Sequence, residues 1–190
     1  MAELVDARDS NSRSERSVGS IPIPGTTFDL MISKKAIIGR NVEIGQFVVI
    51  EDGVEIGDGT VIRNFVELRE NTILGKNCYI DSRVSTSGNC VVGDGVTLRY
   101  DTILARGCKV GDGSYICPRV MTNNLDSIGS QIGGAHIGKN CFIGTNTVIQ
   151  HGVKLGDNVI TGAMSFVNKD IPDAEIWIGS PAKFFKKNEN

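Results

Sequence analysis

The stretch Ile38-Gly39-Arg40-Asn41-Val42-Glu43-Ile44-Gly45-Gln46-Phe47-Val48-Val49-Ile50 repeats its own pattern every six residues, and that period decides the fold. Steps of six from Ile38 continue through Ile56, Ile62, Leu68, Leu74, Ile80, Thr86, Val92, Leu98, Leu104, Val110 and Ile116, with Thr86 the one break among fourteen positions. A second run reads Ile137, Ile143, Ile149, Leu155, Thr161 and Val167. Ile, Leu and Val supply only 48 of the 190 residues, about a quarter, so 18 aliphatics in 20 such positions is a true repeat. A helix stripe repeats near 3.6 residues and an alternating strand every two, so a six-residue step fits short strands separated by regular corners. The fifth position of each hexad is small as well, as in Val42, Val48, Val54, Thr60, Val66, Thr72 and Cys78.

An eighteen-residue beat lies above the six. Gly follows the aliphatic residue at 39, 57, 75, 93 and 111, and again at 138 and 156. Asn or Gly stands two residues after each, the types that tolerate a positive φ in a tight corner. Three hexads therefore make one triangular coil, and residue i sits on residue i+18. This stacking predicts an outer ladder of opposite charges, with Glu51 under Arg69 and Asp81 between Arg63 and Arg99.

Composition agrees with a narrow interior. The chain holds 23 Gly but only 6% aromatic residues, so small aliphatics must fill the core. A formal net charge of −2 makes no electrostatic case for nucleic acid or an anionic membrane. No apolar run approaches the roughly 20 residues of a membrane-spanning helix, so membrane insertion is not expected. The N-terminus lacks a signal-peptide pattern, and the expected location is cytoplasmic. Five Cys without C-x-x-C spacing argue against a disulfide framework or a zinc ribbon. Cys78, Cys90, Cys108 and Cys141 fall at the small fifth position and read as core filler. Two histidines cannot supply a three-His metal site, and no metal is expected.

Residues 1–30 carry no hexad phase. They read as a disordered arm or a mis-assigned leader, with Met31 the natural start, followed by a β-helix over 31–172. Residues 173–190 read as a strand near Glu175–Gly179 and a basic tail containing Lys183, Lys186 and Lys187. The informative interruption lies inside the solenoid. Ile116 and Ile137 are 21 residues apart, which breaks the phase and leaves nine extra residues, assigned to a protruding loop at 122–130. A single excursion in an uninterrupted repeat is where function tends to sit.

These repeats resemble the hexapeptide-repeat acyltransferases. That resemblance implies an all-β, left-handed parallel β-helix of about seven triangular coils, a homotrimer, and acetyl-CoA as cosubstrate. Around the loop, Cys117-Pro118-Arg119-Val120-Met121-Thr122-Asn123-Asn124 resembles the Thr-Asn stretch of N-acetyltransferases acting on nucleotide-linked 3-amino sugars. The resemblance implies Asn123 beside the sugar amine, with Arg119, Thr122, Asn124 and Asp126 contacting substrate. The chain departs from that group in having Asn124-Leu125-Asp126 and no Pro-Arg after the Asn. Related O-acetyltransferases place a catalytic His in this loop, and 122–130 contains none, which favours an amine acceptor. The function expected is therefore N-acetylation of a nucleotide-linked amino sugar in surface-polysaccharide assembly. Alternatives are an O-acetyltransferase with His136 as base and a non-catalytic scaffold. The closing Gly179-Ser180-Pro181-Ala182-Lys183 resembles the family's terminal motif, and the resemblance implies a coenzyme A site at Gly144, Gly162, Ala163, Lys169, Pro181, Lys183 and Lys186.

Overall fold

The computed structural model describes residues 31–189, so the expectation about 1–30 lies outside the described residues. Strands of two residues, from Met31–Ile32 to Phe166–Val167, alternate with corners and stack into three parallel sheets. Sheet 1 runs from Met31–Ile32 to Phe166–Val167 in eight strands, and sheet 2 from Ile37–Ile38 to Lys154–Leu155 in seven. Sheet 3 starts at Glu43–Ile44 and reaches nine strands by adding a C-terminal hairpin. Seven coils carry a strand in every sheet; an eighth closes through the bridge Leu155–Ile171 and the pairing of Ile160 with Ile176.

Register follows the eighteen-residue beat, as in Ile38 on Ile56 and Ile56 on Leu74. The second residue of each strand points inward, so the six-step aliphatics form one buried column per sheet. The fifth-position residues fill the corners of the triangle. Where they are polar they donate to the coil above: Thr60 Oγ1 reaches the Gly75 carbonyl at 2.9 Å and Ser114 Oγ that of Gly138 at 2.8 Å. Cys78 and Cys141 take the same position, their thiols 3.1 Å from the carbonyls of Gly93 and Gly156. Ser165 Oγ lacks a partner among the described residues, because the next coil is there replaced by the hairpin.

Two kinds of glycine separate. A Cβ at Gly57 would stand 2.5 Å from the backbone carbonyl of Gly75, so this position is set by close approach of coils. Gly59, two residues later, has φ +72°, and Asn41 and Asn77 hold the same corner at φ 54° and 53°. Asp58 caps this corner by accepting the Arg40 N–H at 2.7 Å, and Asp157 does the same for Lys139.

Three sequence expectations are corrected. Asp81 binds Arg99 at 2.9 Å as expected, but Glu51 accepts the Glu70 N–H at 3.0 Å, while Arg69 folds back on Glu67 of the strand just before it. Residues near the terminus form no free tail: Glu175–Ile178 and Lys183–Lys187 pair antiparallel, because Pro181 and its neighbours turn the chain back. Finally, the excursion is displaced from 122–130, for a reason that lies in the register described next.

Candidate functional site

Lys109 pairs with His136, 27 residues on, whereas the preceding rung pairs Val91 with Lys109, 18 residues on. Nine residues are therefore inserted in this coil, at the corner between sheets 1 and 2. The Asn123 N–H still donates to the Ile149 carbonyl at 3.0 Å, and the chain is back in phase at Gly133, whose carbonyl accepts the Gly152 N–H at 3.1 Å. The excursion thus occupies 124–132. Its neck is closed by the Asn124 carbonyl, which accepts from the N–H groups of Ile132 and Gly133. At the tip, Asp126 accepts the Ser130 and Ile128 N–H groups at 2.8 and 3.0 Å, and these bonds hold its carboxyl below the ordinary carboxylate range. The excursion leans on the next coil, with Ile132 beside Gly152 and Asp126 in the field of His151.

This geometry sorts the expected site residues. Thr122 belongs to the core rather than to a loop: it is buried, and its Oγ1 accepts the Ala105 N–H at 2.8 Å. Its side chain is therefore withdrawn from the surface, which corrects its assignment to substrate. Asn123 is half-buried at the root of the excursion, and its side-chain amide meets no hydrogen-bonding partner among the described residues. Asn124 is half-buried beside it, and its N–H donates to no protein acceptor among the described residues. Arg119 stands at the opposite edge of sheet 1, exposed, at φ 59° and 3.8 Å from Asp101. Four residues of extended chain, roughly 13 Å, separate it from Asn123.

His136 is the first outward residue after the excursion, on sheet 2 between Lys109 and Lys154. Partial desolvation, then the two lysines, lower its pKa from the ordinary imidazole value and favour the neutral imidazole. No side-chain hydrogen bond orients it among the described residues. Lys109 and Lys154 escaped the sequence reading. They become visible only when the ladder is counted across the insertion, 27 residues and then 18.

The expected coenzyme A residues divide in the same way. Gly144 is buried, its N–H bonded to Thr161, and a Cβ there would stand 2.6 Å from the Ala163 nitrogen; it is a packing glycine and offers no surface to a cofactor. Gly162 lies against Ile178, and Ala163 is exposed next to it. The hairpin closes beside them: Phe166 donates to the Gly179 carbonyl, and Ala182 to that of Phe166. This brings exposed Pro181 and Lys183 to the end of sheet 1, with Lys186 further along the same strand. Lys169 is exposed at the far corner of that coil, beyond Phe166–Val167. A groove of about 550 Å³ is lined by Ile37, Glu55, Asp58 and Ile73 in the first coils, away from the excursion. No three metal-ligating side chains gather among the described residues.

The bacterial transferase hexapeptide family (six repeats) matches residues 35–70 and 134–169, on both sides of the excursion. The repeats of that family thus occupy coils on either side of the excursion. The chain's coils have the left-handed sense that the repeat implies. The bifunctional protein GlmU of Thermosipho africanus is 29% identical over 146 residues, 77% of this chain and 28% of that protein. The chain spans less than a third of the length of that relative. Among solved structures, LpxA from Acinetobacter baumannii superposes with a TM-score of 0.64 at 22% identity, covering 86% of this chain and 74% of that one. UDP-N-acetylglucosamine O-acyltransferase (LpxA) from Moraxella catarrhalis gives 0.66 at 22% identity, over 84% and 73%. These likenesses show a shared solenoid.

Proposed function

We propose that this hexapeptide-repeat protein is an acetyl-CoA-dependent N-acetyltransferase whose acceptor is the amino group of a nucleotide-linked sugar, in surface-polysaccharide assembly. The observation that carries the reading is Asn123: a half-buried amide at the root of the one nine-residue excursion, with no protein partner for its side chain among the described residues. This amide reaches the surface and is claimed by no protein group among the described residues, so it is available to a ligand. In the proposed reaction the neutral amine attacks the acetyl carbonyl, the C–N bond forms, and the C–S bond breaks as the thiol leaves with the amine's proton. Asn123 Oδ1 accepts one amine N–H and aims the lone pair. The unengaged N–H of Asn124 stabilises the oxyanion. Pro181, Lys183 and Lys186 hold the coenzyme, the lysines meeting phosphate as point charges. The assembly is proposed as a cytoplasmic homotrimer, with sites between subunits.

The test is thiol release from acetyl-CoA with a panel of free amino sugars, nucleotide-linked amino sugars and hydroxyl acceptors. Turnover confined to nucleotide-linked amines supports the reading. Turnover of hydroxyl acceptors alone transfers the chemistry to neutral His136 as base. Absence of coenzyme A binding leaves a β-helical scaffold. Light scattering in solution tests the trimer.

A further inference from the structure

Each rung of sheet 2 presents one side chain outward, and three consecutive rungs carry Lys109, His136 and Lys154. Neighbouring rungs lie about 4.8 Å apart, so the two lysines stand roughly 10 Å apart with the imidazole between them. Several cations elsewhere are paired, as Arg83 with Asp101 at 2.6 Å, Arg99 with Asp81 at 2.9 Å and Lys139 with Asp112 at 2.9 Å, while Arg63, Lys76, Lys169, Lys183 and Lys186 make no ion pair among the described residues. Lys109 and Lys154 make no ion pair, and His136 no side-chain hydrogen bond, among the described residues. On one side of Lys109 the rungs Val91 and Ile73 are apolar, and on the far side of Lys154 the Leu155–Ile171 bridge places Asp170 on the next rung. Asp170, close to Lys154, is engaged with that residue's backbone N–H at 2.8 Å. The excursion rejoins the coil at Gly133, three residues before His136.

We infer that Lys109, His136 and Lys154 form a phosphate-binding row that takes a diphosphate group, either that of the acceptor's nucleotide or that of coenzyme A. Two flexible ammonium groups flanking an imidazole converge on such a group and meet its negative charge. Only the identity of the ligand rests on the function proposed above.

The test reads binding without turnover, so a failure of catalysis and a failure of the row are distinguishable. With only two histidines in the chain, both imidazoles can be titrated by NMR. Inorganic pyrophosphate, uridine diphosphate and coenzyme A are added in turn to the full chain. The His136 midpoint is expected to rise by about one pH unit with the anion that binds, because the bound charge favours the imidazolium. His151 serves as the internal control and should stay in place. A rise with uridine diphosphate assigns the row to the acceptor; a rise with coenzyme A alone assigns it to the cosubstrate. The double variant K109Q/K154Q should abolish the rise, and in active enzyme should increase the KM of the assigned substrate at least fivefold with kcat little changed. No movement of His136 with any of the three anions at millimolar concentration overturns the inference. So does an undiminished rise in the folded double variant.

Discussion

Asn123 and Thr122 are adjacent in sequence, yet their surroundings require opposite outcomes when each is cut to Ala. Thr122 is buried and its Oγ1 accepts the Ala105 N–H at 2.8 Å. Removing it leaves a buried donor unmet, a loss of about 1–3 kcal/mol. For a chain of this size that is a fall in Tm of roughly 3–9 °C. Asn123 has no side-chain partner among the described residues, so Asn123→Ala should move stability by no more than about 0.5 kcal/mol. It should instead remove a hydrogen bond to the attacking amine. At about 1.4 kcal/mol that is a tenfold loss in kcat/KM, with larger losses where the bond also aligns the nucleophile. The assay is a thermal melt and a steady-state thiol-release measurement on the same two proteins. The reasoning predicts a crossed result: Thr122→Ala less stable with near-normal kcat/KM, Asn123→Ala equally stable with kcat/KM down at least tenfold. Unchanged kinetics in Asn123→Ala removes that residue from the site. A lower Tm in Asn123→Ala than in Thr122→Ala refutes the placement of both.

Three further outcomes follow from the coil geometry. Gly57→Ala puts a Cβ 2.5 Å from backbone atoms of Gly75, so it should cost about 1–3 kcal/mol in urea unfolding, whereas Gly95→Asn, at a positive-φ corner with nothing within 4 Å, should stay within about 0.5 kcal/mol. Burial raises the pKa of all five thiols, that of Cys108 to about 12. The unfolded thiols ionise from about pH 8.5 while the folded ones keep their protons, so stability should fall progressively from there toward pH 12, and a soluble disulfide reagent should titrate no thiol at pH 8 until denaturant is added. Replacing Lys183 and Lys186 by Ala should raise the KM for acetyl-CoA severalfold in initial-rate measurements with kcat nearly unchanged; equal KM values would separate the hairpin from the coenzyme.

The repeat was fully legible before any coordinates, because each coil solves the same packing problem with the same residues. An inward aliphatic every six positions, a small corner residue, and a glycine wherever the next coil comes within 3 Å leave one architecture. The existence of the excursion was legible for the same reason, as a break in phase. Its limits were not. Counting alone lets nine residues be removed from several starting points, and only the bonds from Asn123 to Ile149 and from Gly152 to Gly133 place the break at 124–132. Thr122, in a Thr-Asn stretch, reads as site chemistry, yet Thr also serves as a core hydroxyl in this fold, as Thr60 and Thr102 do.

By itself, then, the sequence determined what repeats: the solenoid, its eighteen-residue register, the narrow aliphatic interior and the presence of one interruption. Periodicity carries this information because every coil makes the same contacts with its neighbours. Tertiary structure alone decided what occurs once. It withdrew Thr122 and Gly144 into packing, left the Asn123 amide without a partner, and set Lys109 and Lys154 on either side of His136. Those relations depend on which side chains become neighbours across an insertion, and no period in the chain encodes that.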